Sequence, residues 1–353
     1  MKIVRITTLL DFGGQERKYL SFTEDKTLLK HEYVFAAIGH GGNAEKILQE
    51  RGFDVTVFNN NPAITNLKNI WVLYKWFRKV KPDVVHTAAA EANFHGVIAA
   101  RLAGVKIVVA EEIGLPNHSP VARFVFRFVY KFVKKVICVS KAVNDFLIAI
   151  KELPSEKGIV IYNPVSKPMF FKKHLTDAFT IVCVGRLETV KNQQLLIKAF
   201  AQLENKESRL LLVGDGRTRT ALEQMIKEFN LEHRVVITGF SETPEFFLSQ
   251  AHLFVLPSLS EGFGIAVVEA MQQGLPCLCS NVGGIPEFIE EGLTGWLFDP
   301  NQEGELTKKL NVISKLSLSE LEAVGAAAKA YANNRFTSEK YVTHLENFYE
   351  ALL

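Results

Sequence analysis

The stretch that decides the fold reads Pro257-Ser-Leu-Ser-Glu261-Gly-Phe-Gly264-Ile-Ala-Val-Val-Glu269-Ala270. A glycine-flanked loop carries one carboxylate, Glu261, and runs into a helical pattern that carries a second, Glu269. Ionised carboxylates only accept hydrogen bonds, so each can hold a pair of hydroxyl groups, and the free N–H groups at a helix start favour an anion. The pattern indicates a ligand with hydroxyls and phosphate, although an ordinary tight turn before a helix has the same spacing.

The surrounding sequence resembles a known family. The E-x7-E pattern of Glu261 and Glu269, with the glycine-containing segments 274–280, 283–288 and 292–300, is similar to that of the retaining glycosyltransferases of family 4. The resemblance covers nearly the whole chain. It implies the GT-B fold, in which two doubly wound, Rossmann-like α/β domains face each other across a cleft.

Short apolar runs alternate with helical patterns along the chain, which predicts two parallel sheets covered by helices. We predict an N-terminal, acceptor-binding domain at residues 1–165 and a C-terminal, nucleotide-sugar-binding domain at 166–337. Two prolines and a polar stretch at 163–177 suggest a hinge. The resemblance implies that a last helix, 338–353, packs back on the first domain. The predicted strands are 3–7, 33–37, 54–58, 83–86, 106–110, 136–139, 179–184, 209–213, 235–238, 253–256 and 276–279.

Composition narrows the class of protein. A formal net charge of +3 over 353 residues, without a long block of like charge, argues against a nucleic-acid partner. The first residues read as a strand rather than a signal peptide, and no apolar run is long enough to span a membrane, so we expect a cytoplasmic protein. The four cysteines lie in apolar runs and lack the spacing of a metal site or a disulfide framework.

Cations follow the first predicted strand of the second domain. Arg186 and Lys191, at a strand end and before a helical run, can hold a diphosphate. Charge develops on a departing diphosphate, so fixed cations there would act in catalysis as well as in binding. The alternative is that both are solvated surface side chains, but their Gly-Arg-x4-Lys placement resembles the family's diphosphate clamp.

The resemblance implies the other donor contacts. Glu261 and the N–H groups of the next three residues would hold the sugar hydroxyls and phosphate, Glu269 would accept from the ribose, and Phe240 would lie by the base. The first loop of the chain would approach the donor phosphate through paired glycines. The segment 212–216 is either a structural turn or a nucleotide contact. The glycines in this set are Gly13, Gly14, Gly262 and Gly264, and Phe263 lies between the last two.

The acceptor side departs from the family pattern. Many relatives carry a histidine after the fifth strand, where this chain has Ile113, preceded by Glu112. We therefore predict that Glu112 acts on the acceptor side. His86, His95 and His118 are more easily explained as structural or exposed residues.

A basic helix is predicted at 123–135. Arg123, Arg127 and Lys131 recur every four residues among aromatic side chains, with Lys134 and Lys135 nearby. Such a helix would suit peripheral contact with anionic lipid. Equally, its apolar side would pack on the sheet and leave the basic face in water.

The combined prediction is a metal-independent, retaining transferase without a cofactor. It would move a sugar from a nucleotide diphosphate, UDP in preference to GDP, to a hydroxyl of a glycan or lipid-linked acceptor in cell-envelope polysaccharide synthesis. The lack of a Ser-His-Asp or Cys-His arrangement fits, since retention by the family's route needs no protein nucleophile. The alternatives are a sugar-nucleotide epimerase and a non-catalytic partner subunit. The sequence does not identify the base, the sugar, the acceptor, the linkage or the oligomeric state.

Overall fold

A computed structural model describes residues 1–169, 171–172, 175 and 177–353. These residues form two compact units, one made of Met1–Ser166 with Phe336–Leu353 and the other of Lys167–Arg335. Part of the predicted hinge, at positions 170, 173, 174 and 176, lies outside the described residues, and the hinge stays a prediction.

The first unit contains a parallel sheet of seven strands. Its spatial order is β3-β2-β1-β4-β5-β6-β7. The strands are β1 Lys2–Thr7, β2 Glu32–Ala37, β3 Asp54–Val57, β4 Val84–Ala88, β5 Ile107–Glu112, β6 Lys135–Cys138 and β7 Gly158–Val160.

Helices cover both faces of this sheet, because each connection between parallel strands must cross over a face and nearly always does so with the same hand. The first two helices pack on each other, whereas the third packs on the fourth and the fourth on the fifth. The helices are α1 Gly14–Phe22, α2 Asn43–Glu50, α3 Lys68–Val80, α4 Ala90–Leu102, α5 Pro120–Tyr130 and α6 Lys141–Ala149.

The second unit repeats the architecture with six parallel strands in the order β10-β9-β8-β11-β12-β13. The strands are β8 Thr180–Val184, β9 Arg209–Val213, β10 Val235–Gly239, β11 Leu253–Leu256, β12 Cys277–Ser280 and β13 Gly295–Phe298. The helices are α7 Gln193–Ala201, α8 Arg219–Glu228, α9 Pro244–Leu248, α10 Ile265–Gln272, α11 Glu305–Ile313 and α12 Leu318–Arg335.

The central strands are buried along their whole length, as the continuous apolar runs predict. Every residue of β4, β8, β11 and β12 is buried. The predicted doubly wound α/β fold is therefore confirmed for each unit. Two edge strands, β7 and β13, were not predicted, because each is short and only partly buried.

A last helix, α13 Ser338–Glu350, belongs to the first unit. Thr337 caps its start by accepting from the N–H of Lys340. Its apolar side joins a core cluster with Phe22, Tyr33 and Phe35. The chain thus crosses back to complete the core of the unit in which it began.

The predicted helix 123–135 is too long. Helix α5 ends at Tyr130, and Lys135 already begins β6. The helix must end before residue 135 because Lys135 already pairs with Val109 of β5 as the first residue of β6. Across the described residues, no helix combines the length and hydropathy that a bilayer span requires.

Candidate functional site

The sheet of the second unit has a topological switch point between β8 and β11. From β8 the chain moves outward to β9 and β10, and from β11 it moves the other way to β12 and β13. In open α/β sheets, ligands bind beyond the carboxyl ends of the strands at such a point. The loops after β8 and β11 carry the predicted donor residues.

The loop after β8 presents the predicted diphosphate clamp. Arg186 is exposed, and its carbonyl oxygen accepts from Nε2 of Gln193 at 3.0 Å, which ties the loop to the first residue of α7. Lys191 ends a short 3₁₀ turn, Thr189–Lys191, whose last N–H donates to Glu188. Two cations are thus held at a strand end just before a helix start, as predicted.

The loop after β11 brings Glu261 to Lys191. Nζ of Lys191 lies 2.5 Å from Oε1 of Glu261, and the buried Ser258 hydroxyl donates to the same oxygen at 2.7 Å. These residues are 70 positions apart, and the switch point is what brings them together. A cation and an acceptor-only carboxylate side by side suit a ligand that carries phosphate oxygens next to hydroxyl groups.

Helix α10 begins immediately after this loop. Gly264 caps it with a φ of +98°, a conformation that glycine adopts without the penalty of a side chain. The ring of Phe263 is buried against Phe288 at a centroid distance of 5.5 Å, so only its backbone is available for the predicted contact. Glu269 lies buried on the same helix.

Glycines let neighbouring loops approach this site closely. A Cβ on Gly283, which has a φ of +54°, would lie 1.6 Å from the carbonyl oxygen of Glu261. In the same way, a Cβ on Gly214 would lie 2.0 Å from the carbonyl oxygen of Gly185. The glycines at 214 and 283 therefore have a packing role, and for the segment 212–216 the turn interpretation suffices.

Phe240 follows β10, the edge strand, and its side chain is exposed. The carbonyl oxygen of Gly239, the last residue of β10, accepts from the N–H of Gly214, the glycine that abuts Gly185. Its contact with a base stays a prediction.

In the first unit the switch point lies between β1 and β4. Gly13 and Gly14 follow β1, and α1 begins at Gly14. The paired glycines therefore lie between the end of a strand and the start of a helix.

Glu112, the last residue of β5, is buried. Its Oε1 accepts from the Tyr130 hydroxyl and from Nδ2 of Asn93, the latter at 2.9 Å. Burial, with a smaller contribution from the nearby Glu152, raises the pKa of Glu112 to about 7 against the opposing effect of the Tyr130 hydrogen bond. A carboxyl group with such a pKa can hold or release a proton near neutral pH.

A second buried cluster adjoins it and was not predicted. Glu111 accepts from Lys18 and from Nη2 of Arg5, with all three side chains fully buried. Nε2 of His86 lies 3.1 Å from Oε2 of Glu111, and Nδ1 of His86 meets the Tyr349 hydroxyl at 2.5 Å. Burial, with the charges of Arg5 and Lys18, holds the pKa of His86 well below its usual value.

His95, His118 and the four cysteines have structural surroundings. Nε2 of His95 contacts the carbonyl oxygen of Ala63, and Nδ1 of His118 contacts the Glu152 carboxylate at 3.0 Å. The four cysteines are free and buried. Within the described ranges, His, Cys, Asp and Glu side chains form no group that would bind a metal ion.

The two units are doubly wound α/β domains, an architecture that many nucleotide-binding proteins share, and comparison with known sequences identifies the family. Residues 12–167 match the family Glycosyltransferase Family 4, and residues 166–331 match Glycosyl transferases group 1. The chain is 31% identical to the UDP-Gal:alpha-D-GlcNAc-diphosphoundecaprenol alpha-1,3-galactosyltransferase of Escherichia coli, over 74% of this chain and 76% of that protein. The chain therefore belongs to the group 1, family 4 glycosyltransferases.

Another relative matches over a shorter region. The N-acetyl-alpha-D-glucosaminyl L-malate synthase of Bacillus anthracis is 30% identical over 57% of this chain, and the match spans 55% of that protein.

Solved structures share the fold over the whole chain. The HepE protein of Anabaena in complex with UDP has a TM-score of 0.84 and 22% identity, and the match covers 99% of this chain and 100% of that one. A glycosyltransferase from Rickettsia africae gives a TM-score of 0.85 at 19% identity. These likenesses establish the GT-B fold.

Proposed function

We propose that this chain is a retaining, metal-independent glycosyltransferase. It moves a sugar from a nucleotide diphosphate, UDP in preference to GDP, to a hydroxyl of a glycan or lipid-linked acceptor in cell-envelope polysaccharide synthesis. The observation that carries the proposal is the pairing of Lys191 with Glu261 at the switch point of the second unit. A relative named for a UDP-galactose donor and a diphosphoundecaprenol-linked acceptor supports the substrate classes.

The donor roles follow from the chemistry of each group. Arg186 and Lys191 bind the diphosphate, and Glu261 accepts from the sugar hydroxyls. The N–H groups of the loop that leads into α10 bind phosphate oxygens. Glu269 accepts from the ribose.

The reaction breaks the bond between the anomeric carbon and the diphosphate oxygen. The acceptor oxygen forms its bond to that carbon on the same face, and the acceptor proton passes to the departing phosphate oxygen. Negative charge therefore grows on the diphosphate, where Arg186 and Lys191 stabilise it more strongly in the transition state than in the ground state.

The acceptor side is proposed on the first unit. Glu112 would accept a hydrogen bond from the acceptor hydroxyl and orient it, while the proton of that hydroxyl passes to the departing phosphate oxygen. Turnover that is unchanged in Glu112→Ala would remove this residue from the mechanism. Gly13 and Gly14 would approach the donor phosphate through their backbone.

Nucleotide binding tests the donor site. We would measure thermal shifts with UDP, GDP and ADP in EDTA, on the unmodified chain and on Lys191→Ala and Glu269→Ala. A ligand at a hundred times its Kd adds roughly 2.7 kcal/mol to stability. We expect a shift with UDP that persists in EDTA and weakens in both variants. Exposed Lys198→Ala is the matched control, and a preference for GDP would contradict the UDP assignment.

Turnover separates the transferase from its alternatives. An epimerase would convert the nucleotide sugar without any acceptor, and a partner subunit would leave it unchanged with every acceptor. The proposal requires nucleotide release that depends on an acceptor and continues in EDTA. The anomeric configuration of the product, read by its NMR coupling constant, tests retention.

The proposed place of action is the cytoplasm, with peripheral contact at the cytoplasmic face of the inner membrane. Two relatives are named for acceptors linked to undecaprenol, a lipid. An enzyme with such an acceptor must reach a membrane surface, although its nucleotide sugar is dissolved in water.

A further inference from the structure

Helix α5 exposes large apolar side chains that a packed amphipathic helix would bury. Val121 is 74% exposed, Phe124 72% and Phe128 54%, and Phe132 in the following turn is 40% exposed. Their spacing of three and four residues places them on one side of the helix. Phe126 and Val129, on the other side, are buried in the core. The packing on the sheet therefore leaves a second apolar side of α5 exposed.

Cations border this exposed stripe. Arg127, Lys131 and Lys134 are exposed, and α5 itself contains no acidic residue. From position 68 to position 135 the chain carries twelve Lys and Arg against four Asp and Glu. Two of those four acids, Glu111 and Glu112, are buried inside the unit. The surface formed by this part of the chain is therefore strongly basic.

Helix α3 adds a second exposed aromatic site in the same layer. It packs on α4, which packs on α5, so the three helices cover the same face of the sheet. Trp71 is 58% exposed and stacks on Tyr74 at 5.0 Å, while Nζ of Lys75 lies 5.2 Å from the Trp71 ring. Tryptophan beside lysine is typical of side chains at the boundary of a bilayer.

We propose that this surface docks on an anionic lipid bilayer, with Phe124 and Phe128 inserted below the headgroups and the cations of α5 and of the turn that follows it on the phosphates. Soluble monomers rarely expose contiguous apolar patches of this kind without a partner. A second copy of the chain is a poor occupant, because a two-fold interface would set the same cations against each other. An anionic bilayer offers both an apolar interior and opposite charge.

The inference deepens the proposed action on a lipid-linked acceptor, and it is tested without donor or acceptor. The measurement is co-sedimentation of the full chain with vesicles of phosphatidylcholine alone and with 30% phosphatidylglycerol. We expect binding to the anionic vesicles only, weakened by 0.5 M salt. Failure of this binding would leave the transferase proposal standing, and failure of turnover would leave the docking proposal standing.

Matched variants locate the surface. Phe124→Ser with Phe128→Ser, and separately Lys131→Glu with Lys134→Glu, should each lower the partition coefficient roughly tenfold or more. The controls, Phe229→Ser and the pair Lys198→Glu with Lys227→Glu, change exposed residues of the second unit and should bind as the unmodified chain does. Circular dichroism confirms that each variant is folded.

The outcomes that would overturn the proposal are specific. One is equal binding of the variants at Phe124 and Phe128, or at Lys131 and Lys134, and of their controls. Another is equal binding to neutral vesicles. A third is a dimer, seen by light scattering, that the Phe124 and Phe128 changes dissociate, which would assign the surface to a second copy. Trp71→Phe tests the aromatic site of α3, because a vesicle-induced blue shift of tryptophan fluorescence that survived this change undiminished would remove Trp71 from the docking surface.

Discussion

Glu112 shows how far one residue can be interpreted from sequence. The sequence identifies a carboxylate after a strand, in place of a histidine. Only the fold reveals that Asn93 and Tyr130 both donate to it and that burial raises its pKa to about 7. Those partners lie on α4 and α5, so no local sequence pattern predicts their hydrogen bonds to Glu112.

The raised pKa predicts a pH-dependent stability. Below pH 4.5 the Glu112 carboxyl group is protonated in both the folded and the unfolded chain. Between pH 4.5 and pH 7 Glu112 keeps its proton only in the folded chain. The stabilisation of the folded state that is present below pH 4.5 is therefore lost as the pH rises through 7. The neutral variant Glu112→Gln lacks this loss. We expect the unfolding free energy of the unmodified chain, relative to Glu112→Gln, to fall by roughly 3 kcal/mol from pH 4 to pH 8.

Urea unfolding at a series of pH values measures this difference. Glu303→Gln is the control, because Glu303 is exposed and its surroundings change little on unfolding. A difference between Glu112→Gln and the unmodified chain that is constant with pH would show that Glu112 titrates in the folded chain as it does in water.

The donor residues were easier to predict than the buried ion cluster. Lys191 and Glu261 each follow a strand in a recognisable segment, so the topology of the fold was enough to bring them together. Arg5 and Glu111 are 106 positions apart inside apolar strands. The sequence around either residue does not predict a contact with the other. Their pairing depends on the strand order, which the pattern of hydropathy does not determine.

At the scale of elements, the hydropathy pattern predicted the buried parallel strands but not the edge strands β7 and β13. Strands such as β8 and β11 are continuous apolar runs. The edge strand β7 has three residues, none fully buried, so its sequence resembles a loop. The predicted helix 123–135 continued past Tyr130 because its aromatic spacing persists through a turn whose position is set by the start of β6.

The loop after β12 is where one methyl group should disturb the donor site. A Cβ on Gly283 would lie 1.6 Å from the carbonyl oxygen of Glu261, and backbone cannot move aside as a flexible side chain can. Gly283→Ala should therefore displace Glu261 and its contact with Lys191. We expect UDP affinity, measured by calorimetry, to fall by roughly tenfold, equivalent to about 1.4 kcal/mol.

The variant Gly292→Ala is the control that distinguishes this steric clash from backbone strain alone. Gly292 also has a positive φ, +75°, but a Cβ there would have no atom within 4 Å. Both variants should lose about 1 kcal/mol of stability from strain, and only Gly283→Ala should lose UDP affinity. Equal UDP affinity in the two variants would mean that the position of Glu261 does not depend on Gly283.

At the scale of the whole molecule, the two units differ in the number of chain segments that form them. The second unit is one continuous segment, Lys167–Arg335, whereas the first needs both Met1–Ser166 and Phe336–Leu353. The last segment carries five apolar residues of a core cluster: Tyr341, Val342, Leu345, Phe348 and Tyr349. At roughly 1.5–3 kcal/mol for each buried side chain, their loss is comparable with the whole stability of a domain, about 5–15 kcal/mol.

Fragments of the chain should therefore behave unequally. The fragment 167–335 contains all of its own strands and the donor residues Arg186, Lys191, Glu261 and Glu269, so we expect cooperative thermal unfolding and a stabilising shift with UDP. The fragment 1–166 lacks α13 and should show no cooperative transition, because its core is left open. Joining 336–353 to it through a flexible linker should restore the transition, since the helix then reaches the same cluster. Cooperative unfolding of 1–166 alone would show that α13 is dispensable to the first unit, and a disordered 167–335 would show that the second unit depends on the first.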